Sequence, residues 1–344
     1  MTEWRWLEAF TAQLAACALR DGEVVAVLSE SSSRRALVDT SRLAAQALGG
    51  QVVDVVVPTP PNPGPVPIRS TGASVALQGN RAAVAALAAA DLVIDCTVEG
   101  LIHAPELGAI LGGGARVLMI SNEHPENFER FAFDPTLAAR VERGVELLRA
   151  ADELRVTSVH GTDLAVRLAG AFVAGSTGVV TEPGGLAHWP GGLCVCYPAR
   201  GCAQGTVVLA PGDLNLTFKS YVRDAVTLRI EDDYVVAVEG DGLDADLLRS
   251  HLAAFGDEDA YAVSHVGWGM NHAARWDYLP LYDRSQVNGT EARAFAGNVL
   301  FSTGANENAG RFTRAHFDLP LRACTVTLDG RAVVTSGTLG PELT

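Results

Sequence analysis

The sequence predicts an α/β protein: an N-terminal doubly wound parallel-sheet domain over residues 1–154, followed by an α+β domain over residues 155–344. Three observations predict it. A strand, a Ser-rich turn, a helix and a second strand follow one another near the N-terminus, the βαβ order of a parallel sheet. From about Glu153 the texture changes to short strands separated by Gly, Pro and Asp turns. A length of 344 residues exceeds what one ordinary hydrophobic core supports, so two domains are expected.

The first helix is expected from about Glu3 to Leu19, with Trp6, Phe10, Leu14 and Cys17 at helical spacing and Asp21-Gly22 ending it. Glu23 to Leu28 is a short apolar run of strand type, followed by Ser29-Glu-Ser-Ser-Ser33. Arg34 to Leu48 returns to helical spacing and closes at Gly49-Gly50; Gln51 to Val57 is the second strand. Pro58 to Pro65 is a loop, because its prolines exclude both a helix and a central strand. A helix from about Arg81 to Ala90 feeds a buried strand, Leu92 to Asp95; Arg116 to Ile120 is the next strand, and a helix spans Thr136 to Ala151. Such a Rossmann-like unit carries its crevice at the C-terminal ends of the strands. In the second half, strands are expected at Leu154–Val159, Gly205–Leu209, Val226–Ile230 and Tyr234–Glu239, with a helix over Asp244–Phe255. Ala323–Leu328 and Arg331–Thr335 form a hairpin across Asp329-Gly330.

Composition narrows the function. The chain is 48% hydrophobic and 19% charged, which marks it as globular. A net charge of −14 with no Lys/Arg cluster argues against nucleic-acid binding. The most apolar stretch, Ala82 to Ala90, is far too short to span a membrane, and the N-terminus lacks the apolar core of a secretory signal. The six cysteines show no framework spacing, which favours a reducing cytoplasm, and Cys194 and Cys196 read as buried strand thiols. The run Gly112-Gly113-Gly114 precedes a strand where a dinucleotide fingerprint must follow one, so nucleotide binding is discounted.

One stretch near the end carries chemistry. In Arg314-Ala315-His316-Phe317-Asp318-Leu319-Pro320, His316 and Asp318 lie two residues apart on a segment of strand type and so share a face. That pair can take two adjacent positions on one metal ion. With a third ligand it becomes the facial triad of mononuclear non-haem iron sites; a buried His bonded to a nearby Asp is the plain alternative. A second stretch, Tyr261 to His272, sets His265 before what reads as a Gly-rich turn where backbone could approach a ligand.

At these residues the chain resembles a known group. His316 to Gly337, and Gly205-Thr-Val-Val-Leu after Pro198-Ala-Arg-Gly-Cys-Ala-Gln, are similar to the thermophilic-type leucyl aminopeptidases (aminopeptidase T). Those peptidases hold two metals with, among other ligands, two glutamates, in Pro-x-Gly-Glu and Gly-Glu-x-x-x-Gly-x-Asn motifs. Here the matching segments read Pro190-Gly-Gly-Leu193 and Ser264-His265-Val-Gly-Trp-Gly269-Met-Asn271. Loss of two anionic ligands disfavours a dinuclear site. What remains, His265, His316 and Asp318, is similar to the ligand set of the 2,5-dihydroxypyridine 5,6-dioxygenase family, which is built on this scaffold.

That resemblance implies a ring-cleaving dioxygenase with one Fe(II) per chain, held by His265, His316 and Asp318. It would take 2,5-dihydroxypyridine and O2 to N-formylmaleamate, with no organic cofactor. His188 and His103 are the candidates for the proton transfers, since a histidine has the right ordinary pKa. Ser302 and Arg293 are candidate contacts to the ring nitrogen or 2-oxygen. His272 is a candidate neighbour of the ligands, Glu182 is expected at the surface with a place beside the ligands as the alternative, and His124, His160 and His251 are expected to be structural or surface residues. A cytoplasmic homo-oligomer is expected, because the peptidase relatives associate. A metallo-aminopeptidase and a non-catalytic hydroxypyridine-binding protein are the alternatives.

Overall fold

A computed structural model describes residues 2–61 and 75–344. The part of the expected Pro-rich loop from residue 62 to residue 65 lies outside them. The N-terminal elements are α1 (Trp4–Ala16), β1 (Val24–Glu30), α2 (Arg35–Ala47), β2 (Gln51–Val57), α3 (Arg81–Ala88), β3 (Leu92–Asp95), α4 (Leu107–Gly112), β4 (Arg116–Met119) and α5 (Pro135–Ala150). Then come β5 (Glu153–Thr157), β6 (Asp163–Arg167), β7 (Phe172–Ser176), β8 (Leu186–His188), β9 (Leu193–Tyr197), β10 (Ala203–Leu209), β11 (Leu214–Asn215), β12 (Ser220–Tyr221), β13 (Val226–Glu231) and β14 (Tyr234–Glu239). The chain ends with α6 (Leu243–Ala254), β15 (Val263–Gly269), α7 (Thr290–Ala294), β16 (Val299–Asn306), β17 (Arg311–Leu321), β18 (Thr325–Leu328), β19 (Arg331–Thr335) and β20 (Thr338–Leu339).

The first sheet is parallel, in the order β2-β1-β3-β4-β8. Alternation along its strands explains the double winding. Val25 and Val27 face α1 and α2 through Phe10, Leu14 and Leu37, whereas Ala26 and Leu28 face α3 and α4 through Leu87 and Ile110. Asn80 caps α3 through its side chain, which accepts from Ala82 and Ala83 N–H.

Two antiparallel sheets follow, in the orders β14-β13-β10-β6-β5-β18-β19-β20 and β17-β16-β15-β9-β7. They share one core, in which Val156, Val166, Val207 and Val326 meet Cys194, Val266, Trp268, Phe301 and Phe317, with α5 and α6 packed against it. The expected hairpin forms: Asp329 and Gly330 both have positive φ, 49° and 80°, as a two-residue turn of this type requires.

Sheet membership does not follow the chain cleanly. α5 lies against β7 and β9, and β8 completes the parallel sheet although it comes after three antiparallel strands. The expected division at 154/155 falls inside β5, and we propose a unit boundary just before that strand, with these two elements exchanged across it. His188, expected in a Gly/Pro-rich loop, is the last residue of β8 and pairs with Met119 of β4. Residues 263–269, expected as an imidazole followed by a turn, are continuous strand. Gly267 is there because a Cβ would run into the Cys194 carbonyl of β9: the close approach is to backbone, not to a ligand. Among the described residues no helix is long and apolar enough to cross a membrane.

Candidate metal centre

A cavity of about 90 Å³ lies between the C-terminal ends of the parallel strands and the outer face of the β17-β16-β15-β9-β7 sheet. Alternation supplies much of that second wall. On β9, Leu193, Val195 and Tyr197 line the cavity while Cys194 and Cys196 turn into the core. On β17, Phe317 and Leu319 are core residues, so His316 and Asp318 face the cavity, as the sequence predicts. β16 holds them in register, with Ser302 opposite Asp318 and Gly304 opposite His316. Gly304 has φ 109°, and a Cβ there would collide with the Ala315 carbonyl, so the pairing beside His316 needs glycine.

His265 arrives by a different route. Strict alternation would give Val263 and His265 one face, yet Val263, Val266 and Trp268 all belong to the core. The register explains it: Val263 pairs with Thr303 and Val266 with Phe301, so one extra residue is accommodated on β15. This bulge turns His265 into the cavity.

The three side chains converge. His316 Nε2 lies 3.2 Å and His265 Nε2 3.6 Å from the same oxygen, Asp318 Oδ1. One ligand atom from each residue falls within 4.8 Å of the other two, and all three residues are buried. Ser302 donates its hydroxyl to Asp318 Oδ1, and Arg293 Nε donates to Oδ2 at 2.5 Å. Burial would push the Asp318 carboxyl up, but His316 and Arg293 beside it more than offset that and hold it well below the usual carboxylate range. Burial holds His265 neutral, lowering it to about 3. Its ring packs edge-on against Tyr197 at 5.1 Å, and its Nδ1 has no hydrogen-bond partner among the described residues. Two imidazoles and one ionised carboxylate, buried and aimed at one point, form a donor set that fits a divalent ion with open positions.

His103 and His188 both line the cavity. His103 comes from the loop after β3, which two buried carboxylates shape. Asp95 accepts the N–H groups of Thr97 (2.9 Å) and Leu101 (2.8 Å), and Glu30 accepts that of Val98 (2.7 Å). His103 Nδ1 lies 3.0 Å from Glu307 Oε1, and its ring stacks at a tilt on His316, 4.4 Å between centroids. Burial, then His316, lowers its pKa. His188 is fixed by backbone: its N–H donates to Ser176 Oγ at 3.0 Å. Burial, with Arg293 and His103 nearby, lowers His188 to about 4.

Arg293 lines the cavity, and its terminal nitrogen also reaches Asn288 Oδ1 at 3.4 Å. Ser302, the other candidate ring contact, is fully buried, is not among the cavity-lining residues and directs its hydroxyl at the Asp318 carboxylate. His272 is exposed and outside the cavity, because the strand ends at Gly269 and carries it away. Glu182 is exposed, as expected. Sequence reasoning missed Tyr197 and the pairing of Glu307 with His103, 204 positions apart, for which the sequence holds no local signal.

Comparison with known proteins bears on what this centre belongs to. Residues 5–341 match the family model for 2,5-dihydroxypyridine 5,6-dioxygenase. A curated 2,5-dihydroxypyridine 5,6-dioxygenase of Pseudomonas putida is 39% identical over 92% of this chain and 91% of its own. The solved 2,5-dihydroxypyridine dioxygenase of Pseudomonas putida superposes with a TM-score of 0.93 at 36% identity, covering 98% of each chain. Wild-type AmpT from Thermus thermophilus shares the fold, with a TM-score of 0.58 at 18% identity over 96% of this chain and 99% of that one. A cavity with a His-His-Asp group, set in a fold and a sequence that match over nearly their whole length, leaves one conclusion: the chain belongs to the 2,5-dihydroxypyridine 5,6-dioxygenase family.

Proposed function

We propose that this chain opens the ring of 2,5-dihydroxypyridine between C5 and C6 with O2, giving N-formylmaleamate, at one Fe(II) held by His265, His316 and Asp318. The observation that carries the reading is the convergence of both imidazole Nε2 atoms on one oxygen of Asp318, in a cavity of a chain of this family. Bound there, Fe(II) would supply the electronic link between an electron-rich ring and dioxygen.

The chain's own residues do the rest. Ser302 and Arg293 orient the Asp318 carboxylate from two sides. Arg293, with its fork at the cavity, offers N–H groups to the 2-oxygen of the ring. His103 and His188 carry protons, one away from the substrate hydroxyl and one back to the opening ring. Both are held neutral by burial and are therefore acceptors first. Glu307 fixes the His103 ring at Nδ1, which leaves Nε2 for the exchange. Leu193, Val195, Leu300 and Ile102 form apolar walls that suit a flat ring and limit water. The peptidase alternative is weakened by Leu193 and His265, which line the cavity where that chemistry needs carboxylates. A cytoplasmic setting and association into a homo-oligomer belong to the same proposal.

The test is anaerobic reconstitution with Fe(II), followed by oxygen uptake with 2,5-dihydroxypyridine, catechol and homogentisate. Uptake with the pyridinediol at about one iron per chain is expected. Binding of the pyridinediol without oxygen uptake would favour the non-catalytic alternative instead.

A further inference from the structure

We propose that Glu123 is a positioning residue for the metal centre: it clamps the first turn of α7 to the parallel-sheet unit and so, through Arg293, sets the orientation of Asp318. The inference rests on reading His265, His316 and Asp318 as metal ligands.

Glu123 lies in the turn leaving β4 and is 1% exposed. Its Oε1 accepts the backbone N–H groups of Gly289 (2.7 Å) and Thr290 (2.9 Å), and its Oε2 accepts Asn127 Nδ2 at 3.3 Å. Those N–H groups open α7, whose N-cap, Gly289, has no side chain to cap it. The cap therefore comes from the other unit, 166 positions away in sequence. Four residues after Gly289, Arg293 Nε donates to Asp318 Oδ2 at 2.5 Å. Asn288, just before the clamp, donates to the Val98 carbonyl at 2.9 Å, so the α7 entry is pinned to the parallel-sheet unit at two points.

The cations nearest Glu123, Arg34 and Lys219, act on it only at longer range than a contact ion pair, so this buried carboxylate is a costly cap for a helix of five residues. A cap meant only to stabilise could be a local Ser or Asp. What the long-range clamp adds is placement. One helical turn separates the fixed N–H groups from the guanidinium, and the guanidinium grips the only carboxylate of the triad.

The test measures Co(II) affinity and the visible absorption of bound Co(II) in the whole protein for Glu123→Ala, Glu123→Asp and Glu123→Gln, with Tm of each metal-free protein alongside. Glu123→Gln keeps an oxygen for both N–H groups and is expected within about threefold of wild type. Glu123→Ala is expected to bind Co(II) about tenfold or more weakly with an altered spectrum, and Glu123→Asp to fall between. A role confined to folding would lower Tm and leave affinity and spectrum at wild-type values, and that result would overturn the proposal. If Glu123→Ala does not fold, Glu123→Asp decides, and wild-type affinity there overturns it. If His316→Ala bound Co(II) as tightly as wild type, the triad reading itself would fall, separately from the effect of Glu123.

Discussion

The two walls of the cavity are built on different principles. The ligand wall is ladder: His316, Asp318 and Ser302 sit on paired strands, and each oxygen of Asp318 has a donor besides the imidazoles. The facing wall is made of strand ends and loops, where Glu307 and the His316 ring hold His103 and His188 is held through its backbone. The contrast teaches a division of labour. A metal needs donors fixed to within a fraction of an ångström, whereas a proton carrier must exchange hydrogen bonds during a turnover.

The sharpest way to break that contrast is to remove a ligand. His265→Ala, His316→Ala and Asp318→Ala are each expected to reduce bound iron from about one per chain to near none, with a folded protein by circular dichroism. Retained iron in any two of them would dissolve the ligand wall. On the facing wall, His103→Ala and His188→Ala are expected to keep their iron and lose about 10²–10⁴ in kcat. Iron loss in either would show that the walls are not separate. Ser302→Ala should weaken metal binding about tenfold while leaving substrate KM at saturating metal within a few fold, since its hydroxyl serves Asp318. A larger effect on KM than on metal affinity would return Ser302 to the substrate.

A smaller effect separates both walls from the rest of the molecule. Burial lowers His251, which does not line the cavity but packs on Phe317 from the core side of β17, from 6.5 to about 4. Its neutral form is favoured in the fold, while the unfolded chain takes a proton below 6.5. Stability should therefore fall as pH drops from about 6.5 toward 4, and be flat in this respect above that window. The metal-free Tm of His251→Leu should decline less steeply over the same window, with activity at pH 7 unchanged.

The regular parts of the fold were legible in the residues. The βαβ order, the Asp329-Gly330 hairpin and the His316/Asp318 pair all follow from period-two or helical spacing, which a single sequence displays. His265 was reached only through a family resemblance. Its direction depends on a bulge, and a bulge is a mismatch between two strands, invisible in either alone. The same physics hid β8, since three residues with no periodicity become a strand only because the β4 edge is open to receive them. The place of Ser302 opposite Asp318 is hidden for a related reason: register is a property of the pairing.

The late arrival of β8 has a practical consequence. A fragment cut after residue 154 would leave the backbone edge of β4 bare on a strand whose every residue is buried in the whole molecule. An exposed apolar edge of that kind recruits other chains. Expressed alone, the amino-terminal piece should therefore clump, and adding back a peptide covering residues 180–190 should improve its solubility.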